Sequence, residues 1–167
     1  HPAELAEHGV LEFSLRELRE LAPQARLVLE IHEAAVTCVR QMREMRSLLN
    51  ELNMGLAYDD FGAGQARIVE LGECPPDYLK FDIDLIRDID HASPERQKML
   101  ASLVSIVRDL GIASLAEGVE TEAEHQACRQ MGFNYAQGFY YGKPALASTF
   151  TAGDASHDDP ADTDVMN

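Results

Sequence analysis

A chain of 167 residues with 46% apolar content can bury one substantial core, and it reads as a single domain. Its net charge of −15 argues against DNA or RNA duplex as a partner, because non-specific binding to nucleic acid needs clustered Lys and Arg. No apolar run approaches the roughly 20 residues that span a bilayer. No membrane segment is therefore expected, and the scattered Cys38, Cys74 and Cys128 read as buried thiols in a reducing, cytoplasmic setting. The opening His1-Pro2, with no methionine, reads as the start of a piece of a longer protein.

Taken in chain order, residues 13–22 have helical spacing. An apolar run at 26–32 ends in Glu30-Ile31-His32-Glu33, and a helix is expected over 36–52. The run at 54–59 ends in Asp59-Asp60, followed at once by Phe61-Gly62-Ala63-Gly64. After a short helical stretch at 65–72, the run at 77–82 carries Lys80-Phe81-Asp82, with further helical spacing at 83–89. Ser93 before Pro94 is an N-cap signal for a helix over 94–110, in which Met99, Leu103, Ile106, Val107 and Leu110 form one apolar stripe. The run at 112–117 ends in Glu117-Gly118-Val119-Glu120, a helix follows at 121–131, and the run at 134–139 contains Gln137-Gly138. The remainder, 151–167, is acidic and almost without apolar residues, a composition that predicts a disordered tail after a domain at 1–150.

Strands that alternate with helices imply βαβ units and a parallel sheet, either doubly wound and open or a (β/α) barrel. Five successive strands place a charged or amide residue at the carboxyl end, where parallel α/β folds assemble their sites. The adjacent Asp59 and Asp60 repel each other, so an ordered pair needs a cation or donors, although an acidic surface turn has the same sequence. Acids converging on one lysine fit a multi-metal hydrolytic site, in which a phosphate-bearing ligand is met by metal ions and local donors.

Glu30-x-x-Glu33, Asp59-Asp60-Phe61-Gly62-Ala63-Gly64, Leu79-Lys80-Phe81-Asp82, Ala116-Glu117-Gly118-Val119-Glu120-Thr121 and Gln137-Gly138-Phe139 with Lys143-Pro144 follow in the order and spacing of the EAL-domain family. The chain resembles that family over about residues 1–150. The resemblance implies a TIM-like (β/α) barrel, incomplete at its N-terminal side, and a bacterial signalling phosphodiesterase that hydrolyses cyclic di-GMP to linear pGpG with Mg2+ or Mn2+ in a two-metal site. It further implies Glu30, Asp59, Asp60 and Glu117 as metal ligands. Lys80, Glu117 and Asp60 become the catalytic groups, and Gln137, Glu33, Glu120 and Asp82 the groups that support substrate and water. Fused sensory or regulatory domains in the parent protein are expected, and a homodimer is an open assembly. The alternative is a catalytically inactive cyclic di-GMP receptor or a protein-interaction module.

Two departures stand out. The Glu-Ala-Leu motif and the family's metal-binding Asn do not occur, and Gln65-Ala66-Arg67 stands where the family usually has Tyr-Ser-Ser. Among other residues, His32 reads as a structural histidine turned away from Glu30, with a ligand role as the alternative. His91 and His125 read as solvated, and Met42, Met45, Met54, Met99 and Met131 as core. Arg40, Arg43 and Arg46 read as a solvated charged helix face, and Tyr140 and Tyr141 as either core or the border of a base pocket.

Overall fold

The computed structural model describes residues 8–32, 39–62 and 68–145. Its elements follow in chain order as α1 (His8–Leu21), β1 (Val28–His32), α2 (Val39–Glu51), β2 (Gly55–Phe61), α3 (Ile68–Glu73) and β3 (Tyr78–Phe81). The single-turn helix α4 (Ile83–Ile86) and a 3-10 turn (Ile89–His91) then lead to α5 (Pro94–Asp109), β4 (Ala113–Ala116), α6 (Glu122–Met131) and β5 (Tyr135–Ala136).

All four strand pairs are parallel, and the sheet order β1-β2-β3-β4-β5 equals the chain order. A doubly wound sheet reverses its strand order at a switch point, whereas a (β/α) barrel does not. The uninterrupted order therefore identifies an arc of a (β/α) barrel, and the sheet does not close on itself. This selects between the two folds that periodicity left open.

Strand alternation divides the sheet into two unlike faces. On the helix-covered side Ile31, Leu56, Tyr58, Leu79, Phe81 and Ala116 are buried. Edge-to-face rings join β2 to β3 there, Phe61 to Phe81 at 5.2 Å, and β3 to the segment before β5, Phe81 to Phe133 at 5.0 Å. On the concave side Val28, Glu30, Ala57, Tyr78, Lys80, Leu115 and Tyr135 line an open cleft of about 320 Å³.

The helices seat themselves through stripes of the expected period. Met42, Met45 and Leu49 of α2 are buried at three- and four-residue steps. In α5 the buried set is Leu100, Val104 and Val107, while Met99, Ile106 and Leu110 of the expected stripe are 51%, 44% and 43% exposed. This corrects the expectation for Met99. The helix carries two apolar stripes, and only packing against the sheet selects one of them. Ser93 caps α5 as expected, its hydroxyl accepting from Arg96 N–H at 3.3 Å.

Arg46 is also not a solvated face residue. Its guanidinium donates to both carboxylate oxygens of Asp77 and to the carbonyl of Pro75, and Asp77 in turn accepts from Leu56 N–H at 2.8 Å. The pair fastens α2 to the amino ends of β2 and β3. Cys74 and Cys128 are buried free thiols, as expected. Cys38, Glu33 and the 151–167 tail lie outside the described residues. No described helix is long and apolar enough to cross a membrane.

Glu124 is a buried, fully bonded acid, only 2% exposed. Its carboxylate accepts from the backbone N–H groups of Glu120 at 2.8 Å, Asp88 at 2.9 Å and Thr121 at 3.1 Å, while Thr121 returns a side-chain cap to Glu124 N–H. This capping box starts α6 and also pins Asp88, whose backbone is left-handed at φ 54°. Burial alone would raise the Glu124 pKa, but the three amide donors outweigh it and hold the carboxyl below its ordinary 4.5. A depressed acid contributes stability that is present above its unfolded pKa and is lost as pH falls through the folded one. Glu124→Ala, which strands three amide donors, should cost about 3 kcal/mol in urea unfolding at pH 7. Glu124→Gln should unfold with a flatter pH dependence below about 4.5 than the parent. An unchanged acid limb in Glu124→Gln would contradict this assignment.

Candidate metal and catalytic site at the carboxyl ends of the strands

The site begins with a lysine that the sheet buries. Lys80 is the third residue of β3, on the concave face, and only 7% exposed. Its ammonium lies 2.7 Å from Asp59 Oδ1, 2.9 Å from Glu117 Oε1 and 3.1 Å from Glu30 Oε2. Register brings these groups together. Glu30 pairs with Ala57 and His32 with Asp59 across β1 and β2, Lys80 pairs with Leu115 across β3 and β4, and Glu117 follows the last residue of β4. Burial alone would lower the lysine's pKa, but its contacts with Asp59, Glu117 and Glu30 outweigh that and hold it above the ordinary value. Glu117 is pushed up, first by burial and then by Asp59 and Asp60, with Lys80 pulling the other way.

Adjacent residues of a regular strand point to opposite faces. Asp59 and Asp60 escape that rule because β2 bulges here. Tyr58 pairs with Leu79 and Phe61 with Phe81, so three steps on β2 match two on β3. Asp60 adopts a left-handed backbone, φ 60°, which a non-glycine residue holds only under constraint. As a result, carboxylate oxygens of Asp59, Asp60 and Glu117 all come within 4.8 Å of one another. Gly62 continues the turn at φ 98°, where a Cβ would sit 2.4 Å from Leu85.

The donor set fits a divalent cation. Three oxygen acids face one point, and Asp59 Oδ1 is a buried oxygen whose approach to Lys80 lacks the alignment of a hydrogen bond. Hard divalent ions take such carboxylate oxygens as ligands. Glu30 reaches the same cluster through Lys80, although its side chain is 54% exposed.

Gln137 closes the far side, its amide donating to Glu117 Oε1 at 2.6 Å. Lys80 and Gln137 thus grip the same oxygen of Glu117, which fixes how that carboxylate is turned. Gly138 makes this approach feasible, since a Cβ there would lie 2.1 Å from the Val119 carbonyl oxygen.

Other residues fall elsewhere. Glu120 pairs with Arg87 through two contacts, and its bonds tie α6 to the segment after α4 rather than to the carboxylate cluster. Asp82 caps α4, accepting from Asp84 N–H at 2.8 Å. Glu33 lies outside the described residues. His32 does not turn away from Glu30. Residues two apart on a strand share a face, and its Nε2 stands 3.0 Å from Asp60 Oδ2 with the side chain 58% exposed. His125, expected to be solvated, is only 6% exposed and contacts the Tyr141 hydroxyl through Nδ1 at 2.6 Å. Tyr140 and Tyr141 are neither core nor free of partners, since both rings pack on His125 at 42% and 43% exposure.

Lys80 is the only described cation touching three acids of this cluster, so its removal has a definite electrostatic consequence. Lys80→Met should destabilise the chain at pH 7 by about 3 kcal/mol, the order seen when one partner of a buried ion pair is removed. Millimolar Mn2+ should restore part of the lost melting temperature. A variant as stable as the parent without metal would show that the acids do not depend on this cation.

Known proteins resemble this chain in sequence and in fold. The EAL domain family model matches residues 1–144. A bifunctional diguanylate cyclase/cyclic di-GMP phosphodiesterase of Pseudomonas aeruginosa, MucR, is 32% identical over 150 residues, covering 87% of this chain and 22% of the relative. The cyclic di-GMP phosphodiesterase PdeF of Escherichia coli is 36% identical over 119 residues, covering 71% of this chain and 16% of the relative. Among solved structures, Klebsiella pneumoniae BlrP1 in complex with manganese and cyclic di-GMP aligns with a TM-score of 0.75 at 37% identity, over 87% of this chain and 38% of that one. The chain thus spans about a fifth of the length of the first curated relatives it matches. With the family model covering most of its residues, the chain belongs to the EAL-domain family.

Proposed function

We propose that this chain forms the carboxyl-terminal part of the catalytic domain of a cytoplasmic, metal-dependent phosphodiesterase that hydrolyses cyclic di-GMP to linear pGpG. The observation that carries the reading is the convergence of Asp59, Asp60 and Glu117 around one point, with the Lys80 ammonium at its edge. The relatives support the substrate: MucR and PdeF are named for cyclic di-GMP hydrolysis, and BlrP1 is complexed with that dinucleotide and manganese.

Glu30, Asp59, Asp60 and Glu117 would hold two divalent ions, Mg2+ or Mn2+. When bound, such ions supply a lowered pKa for water and charge neutralisation at a phosphodiester. The chain's own residues do the rest. Lys80 is held protonated by its three acids and offers fixed positive charge where phosphoryl charge develops. Glu117, with Oε1 engaged by both Lys80 and Gln137, keeps its second oxygen for the ion or for a proton from the attacking water. Asp60 projects from the bulge to the same point, and Gln137 positions water and Glu117 at the rim.

In this reading Glu120 and Asp82 support the site through backbone and helix ends, since their bonds go to Arg87 and Asp84. The intact protein with Mn2+ or Mg2+ should convert cyclic di-GMP to pGpG, followed by chromatography of the products. Lys80→Ala or Glu117→Ala should lower kcat at least about 100-fold, the scale of losing an electrostatic or acid–base group. Binding of the dinucleotide in calorimetry without any product would replace this reading with that of an inactive receptor.

A further inference from the structure

A buried histidine with no part in the chemistry sits at the end of a continuous bonded path to Gln137. His125 lies on α6, whose start is locked by the Thr121–Glu124 capping box. Its Nδ1 meets the Tyr141 hydroxyl at 2.6 Å, and its ring stacks on Tyr140 at 5.6 Å with 22° between planes. The two tyrosines meet edge to face at 5.1 Å, so three rings form one cluster.

The backbone between this cluster and Gln137 has little freedom. Tyr141 N–H donates to Gly138 O and Tyr140 N–H to Val119 O, both at 3.1 Å, and Val119 N–H donates to Gln137 O at 3.1 Å. Gly138 lies against the Val119 backbone with no room for a Cβ. β5 itself is two residues long, Tyr135–Ala136, so the sheet alone secures this segment weakly. The strap from Gly138 to Tyr141 is held instead by Val119 and by His125.

We propose that His125 and Tyr141 are positioning residues: their contact holds the strap so that the Gln137 amide stays on Glu117 Oε1 and turns that carboxylate toward the metal site. The inference deepens the phosphodiesterase reading and rests on it for the role of Glu117. The described contacts of His125 run to Tyr140 and Tyr141, and the strap bonds carry them on to Gln137 rather than to the carboxylates themselves. Loss of a group that orients a metal ligand lowers metal affinity roughly 10- to 100-fold.

The test uses nitrogen-15 spectra and Mn2+ calorimetry on the full chain. Tyr141→Phe keeps the ring and removes the hydroxyl. His125→Phe keeps the stack on Tyr140 and removes the nitrogen. Each should shift the Gln137 side-chain amide resonances toward the positions of a free amide, with the melting temperature nearly unchanged. Each should also weaken Mn2+ binding about tenfold. In a Gln137→Ala background the further loss from Tyr141→Phe should vanish, because the two act along one path. Unmoved Gln137 resonances, or additive losses in the double variant, overturn the positioning role. A parent chain that binds no Mn2+ overturns the metal reading instead, and the Gln137 resonances then decide the positioning role alone.

Discussion

Everything at the carboxyl end of this sheet depends on one buried ammonium held among acids. Lys80 is 7% exposed and contacts Asp59, Glu117 and Glu30 within 3.1 Å. Three carboxylates around one lysine still leave net negative charge, and Asp60 adds to it. A low-dielectric setting makes such an excess expensive unless protons or cations share it. The Glu117 pKa is raised first by burial, with Asp59 and Asp60 adding to it against the pull of Lys80. The folded chain therefore has a standing affinity for positive charge at this point, before any question of reaction arises.

The fold makes that concentration tolerable by keeping it on one face. Phe81 and Lys80 are neighbours on β3, yet alternation sends the ring into the aromatic row with Phe61 and Phe133 and the amine into the concave cleft. Burial of the aromatic face holds the strands, and the strands hold the charges. Register then aligns the strand ends, so acids distant in sequence become neighbours. The five apolar runs and their polar ends were legible in the sequence because strands of a parallel sheet read as nearly continuous apolar runs. The choice between a doubly wound sheet and a barrel arc was not legible from periodicity. It depends on strand order, which local pattern does not encode. The family resemblance supplied that answer, and the order β1 to β5 agrees.

Several readings differ from the structure because a local pattern has two physical solutions. The helix α5 carries two apolar stripes, and the period alone cannot say which one meets the sheet. His125 reads as solvated on a helix surface, yet it is buried beside Glu124, whose carboxylate three backbone donors satisfy. A signal for that was present. Thr121-x-x-Glu124 is a capping-box spacing, and it marks Glu124 rather than Glu120 as the acid tied to the helix start. Arg46 likewise shares a helix with exposed arginines, and the approach of Asp77 from the loop before β3 separates it from them.

The bulge at Asp59-Asp60 shows why the acidic pair could be recognised from sequence while its geometry could not. In a regular strand the two carboxylates would face opposite layers, and one of them would enter the apolar helix interface. The extra residue on β2 and the left-handed turn at Asp60 remove that cost by bringing both to the concave side. This exchanges one expense for another, since it creates a like-charge pair and a strained backbone. A fold gains nothing from that exchange in stability alone. Gly62 relaxes only the next residue, and the contact of His32 with Asp60 relieves one oxygen of the pair. The arrangement makes physical sense when an ion takes up the remaining oxygens, because the charge that opposes folding then becomes the charge that binds the ion.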